Sequence, residues 1–368
     1  MNATISGIKI RGICAAVPSA IYKFEDELKN FPFSEKSSRR LARVMGFNEH
    51  RITDKGTTPC DLASYIIDYM EYKRYISKKC VKAYIVVAQM ADHPVPGNSK
   101  VIHGQCLFQH DVFCLDIYEN CIGFITGLYI ASGILKNSSF DEILLITTDA
   151  GSCYANKSDR NIYPLCGDAA AVTVLKKTDN QDDILHFAFK FQGENRDALI
   201  TPAGGMRLPH SAETAKIFKD KMGNFRCLDN LHMDGTAVFQ FVMKEVPPLI
   251  DELCNYAQID KKSIDYYLSH QPNRFMLQKL SQLINVPQEK FFNNIVEHFG
   301  NSSCVTIPLN IVYNLNNIIK EDSFSVCYSA FGAGLSLASC LDTLGPLDFC
   351  DLIEHPGNGS TIYKPKEV

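Results

Sequence analysis

The sequence predicts an α/β protein with a mixed or parallel sheet. Residues 83–88 form a continuous apolar run, and residues 142–148 contain the apolar run 143–146; both segments have the length of strands buried on both faces. A third run, residues 112–117, is followed by a polar turn and then by apolar residues at helical spacing. Strands and helices therefore alternate through the first half of the chain, which is typical of α/β folds.

Length and composition indicate a globular chain of two domains or one fused pair. The chain has 368 residues, 46% of them hydrophobic, and a net charge of −4. This charge gives no general attraction to nucleic acid or to an anionic membrane. No apolar run approaches the roughly 20 residues of a membrane span. The start of the chain lacks the basic and apolar segments of a signal peptide.

Fourteen cysteines are scattered along the chain without any C-x-x-C pair. The sequence therefore lacks the paired cysteine ligands typical of a zinc site, and we expect no metal. A chain of this length without paired cysteine spacing is not a secreted disulfide scaffold. We expect reduced thiols and a cytoplasmic protein.

Cys121 is the candidate nucleophile. It follows the turn Tyr118-Glu119-Asn120 and precedes a helix that starts near Ile122. Free backbone N–H groups and the helix dipole at this position are expected to lower the thiol pKa. The competing interpretation is a small buried hydrophobic residue, which describes most free cysteines.

Three other segments supply groups that a thiol acyltransferase needs. A second substrate that loses CO₂ becomes an enolate, and His270 and Asn301 can donate hydrogen bonds to its oxygen. Backbone N–H groups at Cys121 and in the loop Gly332, Ala333, Gly334 can hold a second oxyanion. The plainer alternatives are a satisfied core histidine, a turn before a helix and a hairpin turn.

The motifs occur in a fixed order: Asp116-x-x-x-x-Cys121-x-Gly-Phe, Gly167-Asp168-Ala-Ala-Ala-Val, His270-Gln-Pro-Asn273, His298-x-Gly-Asn301-Ser-Ser and Phe331-Gly-Ala-Gly334. Together they resemble the β-ketoacyl-acyl-carrier-protein synthase III family of the thiolase superfamily, from about residue 5 to residue 340.

The resemblance implies a thiolase-like five-layered αβαβα fold made of two duplicated halves, residues 1–176 and 177–340. Cys121 and Asn301 each stand at a turn before an amphipathic helix, which is consistent with a duplicated unit. The family resemblance also implies a homodimer and a catalytic triad of Cys121, His270 and Asn301. Residues 341–368 extend beyond the usual end of the family, and their composition indicates an arm over the surface.

The resemblance implies no resident cofactor: acyl-CoA or acyl carrier protein brings a phosphopantetheine thioester as substrate. Arg160 matches the segment that contacts the nucleotide end of coenzyme A, and Asn273 matches the asparagine that contacts pantetheine. The family's tryptophan at the channel mouth would fall near Arg40, but this chain has no tryptophan. This departure favours a carrier protein or an unusual acyl donor. Val95 stands where the bacterial housekeeping enzymes of the family often have a phenylalanine that reaches the partner's acyl pocket. A smaller side chain there indicates room for a longer or branched acyl group.

The sequence therefore predicts an acyltransferase of fatty acid or secondary metabolite biosynthesis. In the first hypothesis, Cys121 takes an acyl group that is then condensed with a malonyl thioester, with loss of CO₂, to a β-ketoacyl product. One alternative passes the acyl group to an oxygen or nitrogen acceptor in a specialised pathway. Another is a non-catalytic partner subunit that retains the fold.

Overall fold

Two sheets form the centre of the computed structural model, which describes residues 1–364. The strands are β1 Asn2–Ser6, β2 Ile8–Pro18, β3 Ile21–Lys23, β4 Glu49–Arg51, β5 Ala83–Ala88, β6 Phe113–Tyr118, β7 Glu142–Ala150, β8 Asp168–Lys177, β9 Ile184–Phe191, β10 Leu199–Ile200, β11 Phe218–Lys219, β12 Phe225–Arg226, β13 His232–Met233, β14 Tyr266–Ser269, β15 Phe324–Gly332, β16 Ser336–Leu344 and β17 Phe349–His355. The first sheet has the order β17-β2-β8-β7-β5-β6 and the second has the order β1-β9-β16-β15-β14.

Helices cover both outer faces of the sheets and fill the space between them. They are α1 Phe24–Glu27, α2 Glu35–Met45, α3 Pro59–Tyr72, α4 Asn98–Cys106, α5 Gly123–Lys136, α6 Gly235–Ala257, α7 Arg274–Leu283, α8 Ile295–Phe299 and α9 Thr306–Asn314. None of the helices in residues 1–364 is long and apolar enough to cross a membrane.

The central core lies between the sheets. Leu128 of α5 and Ile311 of α9 pack there with Leu145 of the first sheet and Tyr328 of the second. Residues of α3 and α4 cover the outer face of the first sheet, and residues of α6 and α7 cover that of the second. The layers therefore run helix, sheet, helix, sheet, helix, which confirms the predicted αβαβα arrangement.

The start of α3 shows how local sequence determines an element. Thr58 Oγ1 accepts a hydrogen bond from Asp61 N (3.3 Å), and Asp61 Oδ2 accepts one from Thr58 N (2.9 Å). This capping box satisfies two backbone N–H groups that the first turn leaves free. The helix begins at Pro59, as the sequence pattern predicts.

The segment after residue 340 differs from the predicted surface arm. β16 continues to Leu344, and β17 then pairs in parallel with β2 as the edge strand of the first sheet. Phe349 is buried against Gly12, where a Cβ atom would lie 2.5 Å from its ring. Burial of this aromatic side chain draws the segment into the sheet. At the other end of the chain, β1 joins the second sheet through β9.

Candidate active site

Cys121 lies in the turn between β6 and α5. Gly123 N donates to Asn120 O (2.7 Å), which closes the turn. A Cβ atom on Gly123 would lie 2.6 Å from Val87 Cγ1 and 3.0 Å from Cys304 Cβ. The absence of a side chain at residue 123 therefore lets α5 begin directly against both halves of the molecule. Cys121 is placed at their junction.

His270 and Asn301 follow elements of the second half. His270 comes directly after β14, is buried, and donates from its backbone N to Ser329 O (2.8 Å). Asn301 follows α8, and its backbone N donates to Leu165 O (2.6 Å). Gly167 N donates to Asn301 O (3.1 Å). The Asn301 turn is thus fastened by backbone hydrogen bonds to the loop before β8 in the first half.

Glycines allow this backbone contact. Gly300 has φ +75°, a left-handed conformation that favours glycine. A Cβ atom on Gly300 would lie 2.4 Å from Cys166 O, and one on Gly167 would lie 2.0 Å from Phe299 O. The two backbones touch only because neither residue has a side chain. This explains why both predicted motifs carry a glycine at these positions.

The three triad candidates are joined through residues 301–306. Ser303 N donates to Asn301 Oδ1 (2.9 Å), which leaves the Nδ2 group of Asn301 as a donor. Ser303 Oγ donates to Cys121 Sγ (3.9 Å). His270 Nδ1 and Thr306 Oγ1 are hydrogen bonded at 2.7 Å, so Nε2 is the ring nitrogen left for a substrate. The structure therefore brings Cys121, His270 and Asn301 to one turn.

The Phe331–Gly334 loop lies against the sulfur. A Cβ atom on Gly332 would lie 2.8 Å from Cys121 Cβ and 3.2 Å from Cys121 Sγ. Gly334 has φ +120°, and Ser336 Oγ donates to Ala333 O (2.9 Å), which holds the turn. Backbone, not a side chain, therefore faces the thiol on this side.

The remaining binding candidates make other contacts. The guanidinium of Arg160 lies 3.6 Å from the centre of the Phe33 ring, and its Nη1 donates to Ser37 Oγ (3.0 Å). Asn273 caps α7, because its Oδ1 accepts from Met276 N (2.9 Å). Val95 is 85% exposed in the loop between β5 and α4.

Burial controls the ionisation of the site. It raises the pKa of Cys121 to about 12, although the Ser303 hydroxyl acts in the opposite direction. The sequence-based expectation of a lowered pKa is therefore wrong, because desolvation of the sulfur outweighs the helix N-terminus. Burial lowers the pKa of His270 to about 3, so its imidazole is neutral at pH 7.

The raised pKa predicts how Cys121 responds to pH. Below a pKa of about 12 the thiol is protonated, and the thiolate fraction grows about tenfold per pH unit. Alkylation of Cys121 by iodoacetamide should therefore accelerate continuously from pH 6 to pH 9. Peptide mass spectrometry separates this site from the exposed Cys80 and Cys153. A plateau beginning near pH 7 would show that the thiol is already ionised there.

Sequence reasoning missed three residues beside the triad. Ser303 and Thr306 lie within and just after a quoted motif, but their contacts depend on a turn conformation that residue types do not reveal. Asp149 is the next-to-last residue of β7, is fully buried, and raises the pKa of Cys121 through its charge. Its place at the carboxyl end of a strand was a usable signal, because functional groups gather there in α/β sheets.

Comparison with known proteins identifies the family. Residues 115–193 match the family model of 3-oxoacyl-[acyl-carrier-protein] synthase III, and residues 254–343 match its C-terminal model. A Campylobacter jejuni protein, provisionally named 3-oxoacyl-[acyl-carrier-protein] synthase 3, is 30% identical over 357 residues, covering 96% of this chain and 97% of that protein. The chain belongs to the 3-oxoacyl-acyl-carrier-protein synthase III family.

Other members of the synthase III family are similar over nearly the same span. The β-ketoacyl-[acyl-carrier-protein] synthase III of Syntrophomonas wolfei is 28% identical, over 91% of this chain and 96% of that protein. The crystal structure of a 3-oxoacyl-(acyl-carrier protein) synthase from Burkholderia xenovorans LB400 has a TM-score of 0.88 at 28% identity, over 96% of this chain and 99% of the other. The protein is thus an enzyme of the ketoacyl synthase III type with the thiolase-like fold.

Proposed function

We propose that Cys121 takes an acyl group from a thioester and that this group is condensed with a malonyl thioester to give a β-ketoacyl product and CO₂. One observation carries the proposal. Ser303 contacts both Cys121 Sγ and the Asn301 carboxamide, and Thr306 holds His270 Nδ1. Asn301 Nδ2 and His270 Nε2 are then the polar groups left for a substrate at the sulfur.

Acylation exchanges one thioester for another. The S–H bond of Cys121 breaks as its sulfur attacks the donor carbonyl, and the donor C–S bond breaks as the tetrahedral intermediate collapses. The departing thiolate takes up the proton, so no net charge is left behind. The backbone at Gly332 and the start of α5 lie against the sulfur and can stabilise the intermediate oxyanion.

Condensation requires donors for a second oxyanion. The malonyl carboxylate leaves as CO₂, and its electron pair forms an enolate whose oxygen accepts from Asn301 Nδ2–H and His270 Nε2–H. The enolate carbon attacks the acyl carbonyl, which breaks the bond to Cys121 Sγ. The released thiolate takes one proton from solvent and returns to the thiol. Each role uses a group that the geometry leaves unoccupied.

The acyl donor is an acyl carrier protein thioester in our proposal, with acyl-CoA as the alternative. The Phe33 ring already covers a face of the Arg160 guanidinium, and Ser37 engages one of its nitrogens. Arg160 is therefore less available to a nucleotide than the family resemblance implies. Asn273 keeps its Nδ2 group for a pantetheine amide, since only its Oδ1 serves the α7 cap.

The active protein is a homodimer in our proposal. β6 is an outer strand of the first sheet, and unpaired strand edges favour pairing with another chain. Apolar side chains beside this edge face open space, including Tyr118 at 86% exposure and Val95 at 85%. Pairing of β6 with β6 of a second copy would be self-complementary, as a two-fold interface requires. It would also bring Val95 to the partner, where the family resemblance places it in the acyl pocket.

Negative charge introduced by substitution at the β6 edge should dissociate the dimer. Light scattering of the wild type is expected to give twice the 41.2 kDa chain mass. The double substitution Val95→Glu with Tyr118→Glu should give the single-chain mass, because burying unpaired carboxylates is unfavourable. The control Leu283→Glu alters a 55% exposed apolar residue on α7 and should leave the dimer intact. A monomeric wild type would contradict the assignment.

The unpaired cysteines are consistent with a protein that resides in a reducing compartment. All fourteen cysteines are unpaired within residues 1–364. Reduced cysteines persist in cytoplasm and are oxidised in secretory compartments. We therefore place the protein in the cytoplasm.

Release of CO₂ tests the reaction. Purified protein is incubated with an acyl-CoA or acyl-carrier-protein donor and malonyl-carrier protein labelled in its carboxyl group. The proposal predicts labelled CO₂ and a β-ketoacyl product in equal amounts. Acylation of the protein without CO₂ would favour transfer to an oxygen or nitrogen acceptor. Failure to acylate except in the presence of a second, related chain would favour a non-catalytic partner.

A further inference from the structure

Ser303 has a backbone conformation that its residue type disfavours. Its φ is +53°, in the left-handed region, where a Cβ atom crowds the following carbonyl. It begins the short 3₁₀ segment Ser303–Val305 that leads into α9, and it is buried. A non-glycine residue keeps such a conformation only when surrounding contacts fix it, and such positions gather at functional sites.

Those contacts reach all three triad candidates. The Ser303 N–H donates to Asn301 Oδ1 (2.9 Å), and its hydroxyl donates to Cys121 Sγ (3.9 Å). Its carbonyl accepts from the backbone N–H of Thr306. Thr306 Oγ1 in turn lies 2.7 Å from His270 Nδ1. The backbone N–H of Ser303 therefore binds Asn301 and its hydroxyl binds Cys121, while its carbonyl reaches His270 through Thr306.

We propose that Ser303 is a positioning residue that fixes the positions of Cys121, Asn301 and His270 relative to one another. We further propose that its hydroxyl stabilises the Cys121 thiolate. This inference rests on the proposed function and deepens it. The backbone groups of Ser303 serve condensation, because they orient the two donors. The hydroxyl serves acylation, because it donates to the Cys121 sulfur. It also lies beside the Asp149 carboxyl, whose pKa burial raises and this hydroxyl lowers.

Two substitutions distinguish the contribution of the Ser303 side chain from that of its backbone conformation. Ser303→Gly removes the hydroxyl and keeps the left-handed conformation, since glycine adopts it readily. Ser303→Val also removes the hydroxyl but introduces a β-branched side chain that opposes this conformation. Ser303→Ala is the milder comparison if the valine variant does not fold. Folding of each variant is checked by thermal unfolding before its kinetics are measured.

The two steps should respond differently. For Ser303→Gly we expect acylation to slow by about tenfold, the loss typical of a hydrogen bond to a charged group. Condensation from the pre-acylated protein should be unchanged. Iodoacetamide alkylation of Cys121 should need about one pH unit more for the same rate. For Ser303→Val, condensation should fall as well, and for Ser303→Ala by an intermediate amount.

Three outcomes would overturn the inference. Equal condensation rates in the glycine, alanine and valine variants would show that the backbone of Ser303 orients nothing. An unchanged pH profile of alkylation in Ser303→Gly would show that the hydroxyl does not act on the sulfur. A condensation loss in Ser303→Gly equal to that in the valine variant would assign both effects to the side chain. Alkylation needs no substrate, so this test remains informative even if the wild type fails to condense and the proposed function is wrong.

Discussion

Replacing Asn301 with aspartate is expected to slow condensation by about 10²–10³-fold, the usual cost of losing one oxyanion donor. The substitution preserves shape, and the new carboxylate could still accept from Ser303 N, as Asn301 Oδ1 does at 2.9 Å. It removes the Nδ2–H group and sets a negative charge beside the developing enolate. Acylation of Cys121 should proceed at close to the wild-type rate.

Single-turnover kinetics distinguish these steps. Acylation is followed by intact mass after mixing with an acyl thioester, and condensation by CO₂ release after malonyl-carrier protein is added to the pre-acylated protein. Acylation is the internal control for a folded site. If the rates of acylation and condensation fell by the same factor, Asn301 would be required for the structure of the site and not for stabilising the enolate.

Replacing Gly167 with alanine is expected to have the largest effect on stability. The new Cβ atom would lie 2.0 Å from Phe299 O and 2.9 Å from Gly300 Cα, both backbone atoms. The loop before β8 and the Asn301 turn would have to separate. We expect the free energy of unfolding to fall by about 3 kcal/mol, at the upper end of overpacking effects. Condensation should be lost as well, because the hydrogen bonds that fasten Asn301 cross this contact.

Gly133→Ala is the matched control for this substitution. Gly133 lies in α5, where a new Cβ atom would meet nothing within 4 Å. An alanine in a helix should raise the free energy of unfolding by about 0.5–1 kcal/mol. Denaturant unfolding monitored by circular dichroism measures both variants. Equal stability of the two alanine variants would contradict the close backbone contact between the halves.

Local sequence signals predicted the elements that depend on local physics. The capping box at Thr58 and the continuous apolar run of β5 indicated their elements directly. Elements that depend on distant partners were not predictable in this way. β17 is an edge strand because Phe349 packs over Gly12 at the opposite end of the chain. Prolines 247 and 248 lie inside α6, yet this helix runs from Gly235 to Ala257 with its apolar face buried on the second sheet.

In the candidate site, too, some features could be predicted from the sequence and others depended on the fold. Residue types and motif order were enough to propose Cys121, His270 and Asn301. They could not reveal that one serine with φ +53° connects the three, because backbone conformation at a single residue depends on its tertiary contacts. Nor could they give the ionisation of the thiol, since helix position lowers its pKa while burial, which only the fold determines, raises it to about 12.

The most direct test of the account is the mass of the protein after incubation with an acyl thioester and no malonyl substrate. The account predicts one added acyl group, located by peptide mapping on the peptide that contains Cys121, and no addition to the Cys121→Ala variant. An acyl group found on another of the fourteen cysteines, or retained by Cys121→Ala, would contradict it.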